Sequence, residues 1–416
     1  MAFPTARISF SVFLLATLFV LTLAAAQPAL AQTETLLYSF GATSTDGTNS
    51  QAALISDKEG NFYGTTSSGG AYGYGAVFEL SASGTETILY SFGATSTDGQ
   101  SPQAGLVMDT KGNLYGTTTY GGVYTQGTVF ELSPSTTTGI WTETILWSFG
   151  ATATDGFMPW AALIRDSKGN LYGVTELGGA NGTYPGGTVY KLTPVTKKKK
   201  TTWTETILYS FGASATDAYW PTSGLLMDKA GNLYGTTTYG GTYGNGTVFE
   251  LSASGTETIL YSFGASATDA ILPWTNLIRD SKGNFYGTTT WGGAYGNGTV
   301  FELSASGTET VLYSFGTALT EPFYVNCGLI MYKGNLYGTS QWGGANGGGT
   351  VYELSLVKKG TLKGTWAETI PYAFGASATD GTWPEASLIM DKEGNFYGTT
   401  FNGGEYSSGT VFKLVP

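Results

Sequence analysis

The sequence predicts an all-β fold built from seven copies of one unit, the arrangement of a seven-bladed β-propeller with four-stranded antiparallel blades. Two motifs recur at a period of about 52 residues: E-T-x-x-[YW]-x-F, first seen at 34–40, and G-x-V-[FY]-[EK]-L, first seen at 75–80. Each unit contains four short runs rich in Val, Ile, Leu, Tyr, Phe and Thr, separated by clusters of Gly, Asn, Asp and Ser. Such runs are typical of strands joined by tight turns, and four strands per repeat are typical of propeller blades.

The two ends of the repeat array predict how the ring closes. The first motif, Glu34–Phe40, is an outer strand without a blade of its own, and the last unit stops after 409–414 without an outer strand. We therefore expect Glu34–Phe40 to complete the seventh blade, which leaves no unpaired strand edge. An open β-solenoid is the alternative, but its terminal repeats would need capping sequences, and these terminal copies are ordinary.

The recurring D-x-x-G-N step predicts a hairpin between the first two strands of each blade, as at 166–170. Glycine there can adopt a positive φ, and the aspartate can accept hydrogen bonds from the N–H groups of the turn. The sixth copy, at 331–335, has lost one residue and the aspartate. A ring of metal sites built on this aspartate would lack one member.

The repeat L-I-x-D-x-x-G-N-L-Y-G-T-T-x-x-G-G-x-x-x-x-G-T-V-F-E-L resembles the Gloeo/Verruco tandem repeat of secreted bacterial proteins, some of which are described as choice-of-anchor proteins. The resemblance covers about residues 34–416. It implies a propeller-like extracellular repeat protein. It implies no particular reaction and no catalytic residues.

Residues 1–31 are predicted to be a secretory signal peptide, and residues 32–416 a single seven-repeat domain. Arg7 precedes an apolar stretch, and Ala29-Leu30-Ala31 offers a processing site. An uncleaved membrane anchor is the alternative for this segment. No later stretch is apolar enough to span a bilayer. We expect a secreted protein, either extracellular or periplasmic.

Composition excludes several function classes. The net charge is −11, and removal of residues 1–31 takes away Arg7 and no acid, so a chain with 18 basic and 30 acidic residues remains. That acidity disfavours nucleic acid as a partner. The absence of histidine excludes Ser-His-Asp triads and imidazole metal sites, and the single cysteine excludes an intramolecular disulfide. We expect a monomer without a cofactor.

Candidate ligand-binding residues lie on the rim that carries the Gly-Gly loops and the connections between blades. Aromatic side chains can stack on the apolar faces of sugar rings, and carboxylates can accept hydroxyl protons. One aromatic set precedes the paired glycines, a second stands beside prolines, and a set of aspartates occupies the T-D-G connections. The candidates are Tyr120, Tyr239, Trp291 and Trp342; Trp160, Trp220, Trp274 and Trp383; and Asp98, Asp155, Asp217, Asp269 and Asp380.

Other interpretations of this rim remain open at the level of sequence. Each aromatic residue could pack over a glycine, and each T-D-G could be an ordinary turn. The acid ring could bind Ca²⁺, although it lacks a dense calcium-loop pattern. We expect a non-catalytic module that binds extracellular or cell-wall polysaccharide. The alternatives are a scaffold for an extracellular protein partner and, third, a carbohydrate-active enzyme that uses carboxylates.

Overall fold

A computed structural model describes residues 33–135, 140–181, 186–198 and 200–415. The predicted signal peptide, 1–31, lies outside these ranges. Within them every regular element is a β-strand, as the sequence predicts. The part of the chain that the structure describes contains no apolar helix of membrane-spanning length.

Seven four-stranded antiparallel sheets form the blades of a closed β-propeller. We number the strands of each blade 1 to 4 from the central channel outward. Blades 1 to 4 consist of Ile55–Ser56, Phe62–Thr66, Ala76–Leu80 and Glu86–Ser91; Val107–Met108, Leu114–Thr118, Thr128–Pro134 and Trp141–Ser148; Ile164–Arg165, Leu171–Thr175, Thr188–Lys197 and Lys200–Ser210; and Leu226–Met227, Leu233–Thr237, Thr247–Leu251 and Glu257–Ser262. Blades 5 to 7 consist of Ile278–Arg279, Phe285–Gly292, Thr299–Leu303 and Glu309–Ser314; Ile330–Tyr332, Asn335–Ser340, Thr350–Leu356 and Trp366–Ala373; and Ile389–Met390, Phe396–Thr400, Thr410–Val415 and Thr33–Ser39.

The first strand of the chain closes the ring, as predicted. Thr33–Ser39 pairs antiparallel with Thr410–Val415 and so becomes strand 4 of blade 7. A second closing contact lies nearer the axis, where the Thr399 hydroxyl donates to the Ala52 carbonyl at 3.3 Å. The ring is therefore closed both at its outer edge and near its centre.

Each boundary between neighbouring blades, which we call a seam, has its own hydrophobic core. The phenylalanine that follows strand 4 of one blade meets an aromatic ring on strand 3 of the next, edge to face. Phe40 and Phe78, for example, have ring centroids 5.0 Å apart. Both side chains are fully buried. The other six seams repeat the contact in the pairs Phe92–Phe130, Phe149–Tyr190, Phe211–Phe249, Phe263–Phe301, Phe315–Tyr352 and Phe374–Phe412.

The seam aromatic explains the invariant glycine of the Y-G-T step. A Cβ on Gly64 would come within 2.6 Å of the Phe78 ring and 3.0 Å of Leu54. These atoms belong to a packed core, so the ring could not move aside without displacing its neighbours. Gly64 is thus needed to make room for the ring, in an ordinary strand conformation.

In six of the seven blades a threonine on strand 2 links the blade to the next. The Thr65 hydroxyl donates to the Ala104 carbonyl at 3.1 Å, and Thr288 donates to the Cys327 carbonyl at 3.0 Å. Blade 3 has Val174 at this position, which explains why its copy of the bond is missing. Cys327 itself is buried, and burial raises the pKa of its thiol to about 12.

The D-x-x-G-N hairpins form as predicted. Asp57 accepts hydrogen bonds from the backbone and side chain of Asn61 and from the Tyr63 hydroxyl. Burial opposes ionisation of Asp57, but these bonds outweigh it and lower the pKa of the carboxyl. In blade 6 the shortened copy makes a tight turn at Lys333 and Gly334, both at positive φ. These hairpins mark the lower rim of the ring.

Short two-stranded ribbons mark the opposite face, the upper rim. There each connection between blades pairs with the start of a Gly-Gly loop, as Gly47–Thr48 pairs with Ser68–Gly69. The ribbons hold the connections in place where they turn down into the central channel. The other ribbons are Gly99–Gln100 with Tyr120–Gly121, Gly156–Phe157 with Leu177–Gly178, Ala218–Tyr219 with Tyr239–Gly240, Ala270–Pro273 with the end of Phe285–Gly292, and Gly381–Thr382 with Asn402–Gly403; blade 6 has a single bridge between Phe323 and Trp342.

Deletion of Thr33–Ser39 should lower the melting temperature sharply, by about 10 °C or more. The deletion removes the outer strand of blade 7 together with Leu37 and Tyr38, which pack against the seam core. Each kcal/mol lost shifts the melting temperature of a domain this large by roughly 1 °C. Thr35→Ser, an exposed change within the same strand, is the control. Calorimetry showing the same melt for the deletion and for Thr35→Ser would contradict closure by this strand.

Candidate functional site

Seven segments converge on a depression at the upper-rim end of the central channel. The depression has a volume of about 230 Å³ and receives side chains from all seven blades. Each segment runs from the upper-rim ribbon through a proline, replaced by Ser50 and Val325 in blades 1 and 6, and then into strand 1. We call the residue after that proline the mouth position. In blades 1 to 7 it is Gln51, Gln103, Trp160, Thr222, Trp274, Asn326 and Glu385.

The mouth position divides the depression into two unlike halves. Trp160 and Trp274 lie in blades 3 and 5, on either side of the small Thr222. The remaining blades contribute the amides and the carboxyl of Asn326, Glu385, Gln51 and Gln103. One half of the wall is therefore aromatic, and the facing half carries hydrogen-bond donors and acceptors.

Below the mouth the channel wall is made of small residues. Three residues after each proline position stand alanine, glycine, serine or asparagine, such as Ala53 and Gly105. Hydrogen bonds join neighbouring segments here: the Gly224 N–H donates to Asn276 Oδ1 at 2.6 Å, and the Gly328 N–H donates to Ser387 Oγ at 2.9 Å. These bonds brace the floor on which the mouth residues stand.

Glu385 is the acidic group among the residues that line the depression. Its Oε1 accepts a hydrogen bond from Gln341 Nε2 at 2.6 Å. Burial raises the pKa of the Glu385 carboxyl to about 7, against a hydrogen bond from the Gln51 side chain that lowers it. Near neutral pH this group can therefore both donate and accept hydrogen bonds.

Two polar atoms at the depression lack partners within the protein. Gln103 Oε1 and Thr290 Oγ1 are both buried, and neither makes a hydrogen bond to another protein group. Buried polar atoms are nearly always paired, so these two call for water or for a ligand. Both residues line the depression, so a ligand held there could supply the missing hydrogen bonds.

The four tryptophans predicted beside prolines occupy two different positions. Trp160 and Trp274 follow the proline and line the depression. Trp220 and Trp383 precede it and lie half-buried higher on the rim. The sequence prediction placed all four together, but a shift of one residue separates the two pairs.

The residue before the proline has an unusual backbone in every blade. All seven residues there have φ between +56° and +61°, the left-handed region that favours glycine, yet none is glycine. Backbone bonds hold the conformation: Trp383 donates to the Gly348 carbonyl and accepts from the Phe401 N–H. Glycine would adopt this backbone conformation with less strain, yet all seven blades have a residue with a side chain here. We infer that these side chains have a function. The seven are Asn49, Ser101, Met158, Trp220, Leu272, Tyr324 and Trp383.

The aromatic residues predicted before the paired glycines surround the mouth. Trp342 packs against Trp383, with ring centroids 4.8 Å apart, and Tyr239 meets Trp220 at 5.2 Å. Trp291 meets Tyr324, which lines the depression, at 6.1 Å and remains 45% exposed. These residues extend the aromatic surface outward from the mouth.

Tyr120, in blade 2, remains 44% exposed. Of the four aromatic residues before the paired glycines, Tyr120 alone makes no contact with another aromatic ring of the described residues.

The predicted aspartates lie inside the turns between blades. In Asp98, Oδ2 accepts hydrogen bonds from the N–H groups of Gly93 and Ala94 and from the Tyr90 hydroxyl. The same carboxyl-to-turn bonds recur in the equivalent residues. The oxygens that would meet a ligand are thus turned toward the protein in Asp98, Asp155, Asp217, Asp269 and Asp380.

Sequence reasoning missed the polar mouth residues and a ring of exposed tyrosines. The signal for the first was the variation of one position among otherwise similar copies. The signal for the second was the G-G-x-Y step, which places a tyrosine two residues after the paired glycines. These tyrosines, 45–55% exposed, are Tyr72, Tyr124, Tyr243, Tyr295 and Tyr406.

A calcium site in the acid ring was an alternative from the sequence. Across the described ranges, no three acidic or cysteine side chains come together in the manner of metal ligands.

Comparison with protein-family models identifies the repeat. A family model described as the Gloeobacter/Verrucomicrobia repeat matches residues 16–226, 136–280 and 221–416. A search of curated protein sequences finds no match.

Solved structures that resemble the chain share little sequence with it. A Bacteroides uniformis protein provisionally named a 6-phosphogluconolactonase is 14% identical, with a TM-score of 0.47, over 81% of this chain and 88% of that one. PorZ, a surface component of the type-IX secretion system of Porphyromonas gingivalis, is 14% identical, with a TM-score of 0.41, over 87% of this chain and 50% of PorZ. A glucose dehydrogenase is 12% identical, with a TM-score of 0.44, over 92% and 99% of the two chains.

Met158→Gly should raise the melting temperature slightly, and Met158→Val should lower it. Glycine adopts φ near +59° without strain, whereas a β-branched residue at such an angle is a clear outlier. The expected order of stability is Gly, Met, Val, over a span of about 1–3 kcal/mol. Calorimetry of the three proteins measures it. A Val variant as stable as the Gly variant would show that this position carries no backbone strain.

Proposed function

The chain belongs to the Gloeobacter/Verrucomicrobia repeat family, and we propose that its propeller binds a neutral carbohydrate chain at the mouth of the central channel. The observation that carries the proposal is the contrast between the mouth position and the rest of the repeat. The seams, turns and ribbons are copied from blade to blade, while the mouth position holds five residue types in seven blades. A residue with a purely structural role would be the same or nearly the same in every blade, as the residues of the seams are.

The two halves of the mouth suit the two kinds of surface on a sugar ring. Trp160 and Trp274 offer apolar faces for the C–H groups of a pyranose. The amides of Gln51 and Gln103 and the carboxyl of Glu385 offer donors and acceptors for hydroxyl groups. The unpartnered Gln103 Oε1 and Thr290 Oγ1 would gain hydrogen bonds from such a ligand.

Charge further narrows the ligand class. Among the described residues lining the depression there is no lysine or arginine, and Glu385 is the acid. An anionic polymer would bring negative charge to a protein of net charge −11 without a basic partner. A neutral polysaccharide therefore fits better than an acidic one.

The chemistry of the mouth supports binding rather than hydrolysis. Glycoside hydrolases need two carboxyl groups on opposite sides of the scissile bond. The described lining supplies Glu385, while the neighbouring aspartates are bonded within their turns. We therefore propose a non-catalytic module, and the predicted signal at 1–31 places it outside the cytoplasm in this proposal.

A protein partner is the second candidate, and the exposed tyrosines favour it. Tyrosine is enriched at protein interfaces because it combines a large apolar surface with a hydroxyl. The five exposed tyrosines lie in the Gly-Gly loops of the upper rim. A protein that covered this rim would contact them, whereas a glycan held at the mouth need not.

Retention on insoluble polysaccharides tests the proposal. Purified residues 32–416 should be retained by one neutral polymer among cellulose, chitin, xylan and mannan. Trp160→Ala or Trp274→Ala should each weaken binding about tenfold or more, equivalent to about 1.4 kcal/mol, because each removes one stacking surface. Titration calorimetry with a soluble oligosaccharide of the retained polymer measures the change.

Tyr295→Ala is the matched control, because it removes an exposed aromatic of the same rim outside the mouth. Binding lost in Tyr295→Ala but kept in Trp160→Ala and Trp274→Ala would refute the mouth as the site. Absence of retention on every polymer, together with a specific extracellular protein captured through the tyrosines, would favour the second candidate.

A further inference from the structure

Every seam brings two carboxyl groups together, away from the mouth. On strand 4 of blade 1, Glu86 lies beside Asp46, which belongs to the connection from blade 7. Tyr38, at the end of strand 4 of blade 7, faces the same pair and donates its hydroxyl to Asp46 Oδ2. The other six pairs are Glu143–Asp98, Glu205–Asp155, Glu257–Asp217, Glu309–Asp269, Glu368–Glu321 and Glu34–Asp380.

Oxygen atoms of these pairs are buried without hydrogen-bond donors. Asp46 is 4% exposed, and its Oδ2 accepts from Gly41, Ala42 and Tyr38, but its Oδ1 has no partner. Glu86 Oε1 is also buried and unpartnered. The same is true of both carboxyls in the pairs Asp155–Glu205 and Asp269–Glu309.

No cation in the described protein compensates these pairs. The charged group that acts on Glu86 is Asp46, and the polar side chain that contacts Asp46 is Tyr38, through its hydroxyl. The single ion pair among the described residues, Lys392–Glu393, is exposed on the surface. Two ionised carboxylates could not remain together in such a place, since both accept hydrogen bonds and repel each other.

We propose that each seam binds one proton, shared between the glutamate of one blade and the acid of the preceding connection, so that the ring is stabilised by acid and loosens as the pH rises through neutrality. A protonated glutamate can donate its O–H to an oxygen of the acid across the seam, and such an oxygen is buried without a partner in Asp46, Asp155, Asp269 and Asp380. The carboxyls of Glu205 and Asp155 are close enough for a hydrogen bond between them once one is protonated, and Glu34 and Asp380 line one small cavity.

The raised pKa values of the seam glutamates agree with this arrangement. Burial first, and the neighbouring acid second, raise the pKa of Glu86 from 4.5 to about 7 and that of Glu205 to about 8. The remaining seam glutamates reach about 7 for the same reasons. Their partners across the seam are acids, and the faces toward the preceding blade carry Tyr90, Trp147, Tyr209, Tyr261, Tyr313 and Tyr372.

The direction of the pH dependence follows from proton linkage. Between pH 4.5 and about 7 the folded chain holds more protons than the unfolded chain, so the free energy of unfolding falls as pH rises. The stabilisation is complete below the pKa of the unfolded glutamate and is lost as pH rises through the raised values. At still lower pH the hairpin aspartates, whose pKa is lowered, become protonated and oppose folding. Maximum stability is expected near pH 5.

Melting of single variants at two pH values tests the proposal. In Glu205→Gln the amide N–H can donate to Asp155 at any pH, so this variant should melt like the wild type at pH 5.5 and several degrees higher at pH 8.5. Glu59→Gln removes the same charge from an exposed lower-rim position and controls for net charge. Equal melting of the two variants at pH 8.5 would overturn the proposal.

Two measurements on the wild-type chain remain informative even if a variant misfolds. Refolding in weakly buffered solution at pH 6 should take up several protons per chain, recorded with a pH indicator, and no uptake would overturn the proposal. Addition of CaCl₂ at pH 8.5 should leave the melting temperature unchanged. A saturable rise with Ca²⁺ that is smaller in Glu205→Gln would overturn the proposal, because it would show that the seams bind a metal ion in place of the proton.

Discussion

The fold depends on one contact, the edge-to-face packing of a phenylalanine from one blade on an aromatic ring of the next. Phe40 on Phe78 is the copy that spans the closing seam. Each such pair is fully buried and contributes about 0.5–1.5 kcal/mol beyond its area, and the ring needs a glycine beneath it, as at Gly64. Because a propeller blade touches only its two neighbours, this contact repeated seven times sets how blades stack. The aromatic contact sets the angle between neighbouring blades. The threonine hydrogen bonds and the closing strand then stabilise that arrangement.

Because the contacts that stabilise the fold lie at the seams, residues of the upper rim can differ between blades without disturbing the fold. The mouth residues stand on short segments braced by the ribbons above and by the Gly224–Asn276 and Gly328–Ser387 bonds below. Replacement of one mouth residue therefore changes the chemistry of the depression without touching a seam core. The left-handed residues such as Trp383 are the exception, because there the backbone tolerates a side chain at some cost in stability. That cost is consistent with a functional role for the rim aromatics.

Periodicity made most of the fold predictable, and the same periodicity obscured the site. Strand identity, blade number and closure by the first strand follow from the order of the motifs, since a copied unit must pack on its own copies. The order of the motifs does not predict the direction in which each side chain of the rim points. Trp160 and Trp220 both stand beside a proline, but one residue of offset sends the first into the depression and leaves the second on the rim. The aspartate of T-D-G looks like a surface acid, but its turn folds around the carboxyl, as at Asp98.

Closure of blade 7 by the first strand also governs when the ring can form. Thr399 and Ala52, which bond across the closing seam, are 347 residues apart in the chain. A loop of that length must be brought together before the contact exists, and such non-local pairing is slow. Until then Thr33–Ser39 and Thr410–Val415 each present an open strand edge, the kind of surface that pairs with other chains. Until blade 7 has been synthesised and paired with the first strand, each molecule can therefore exchange strands with other molecules of the protein.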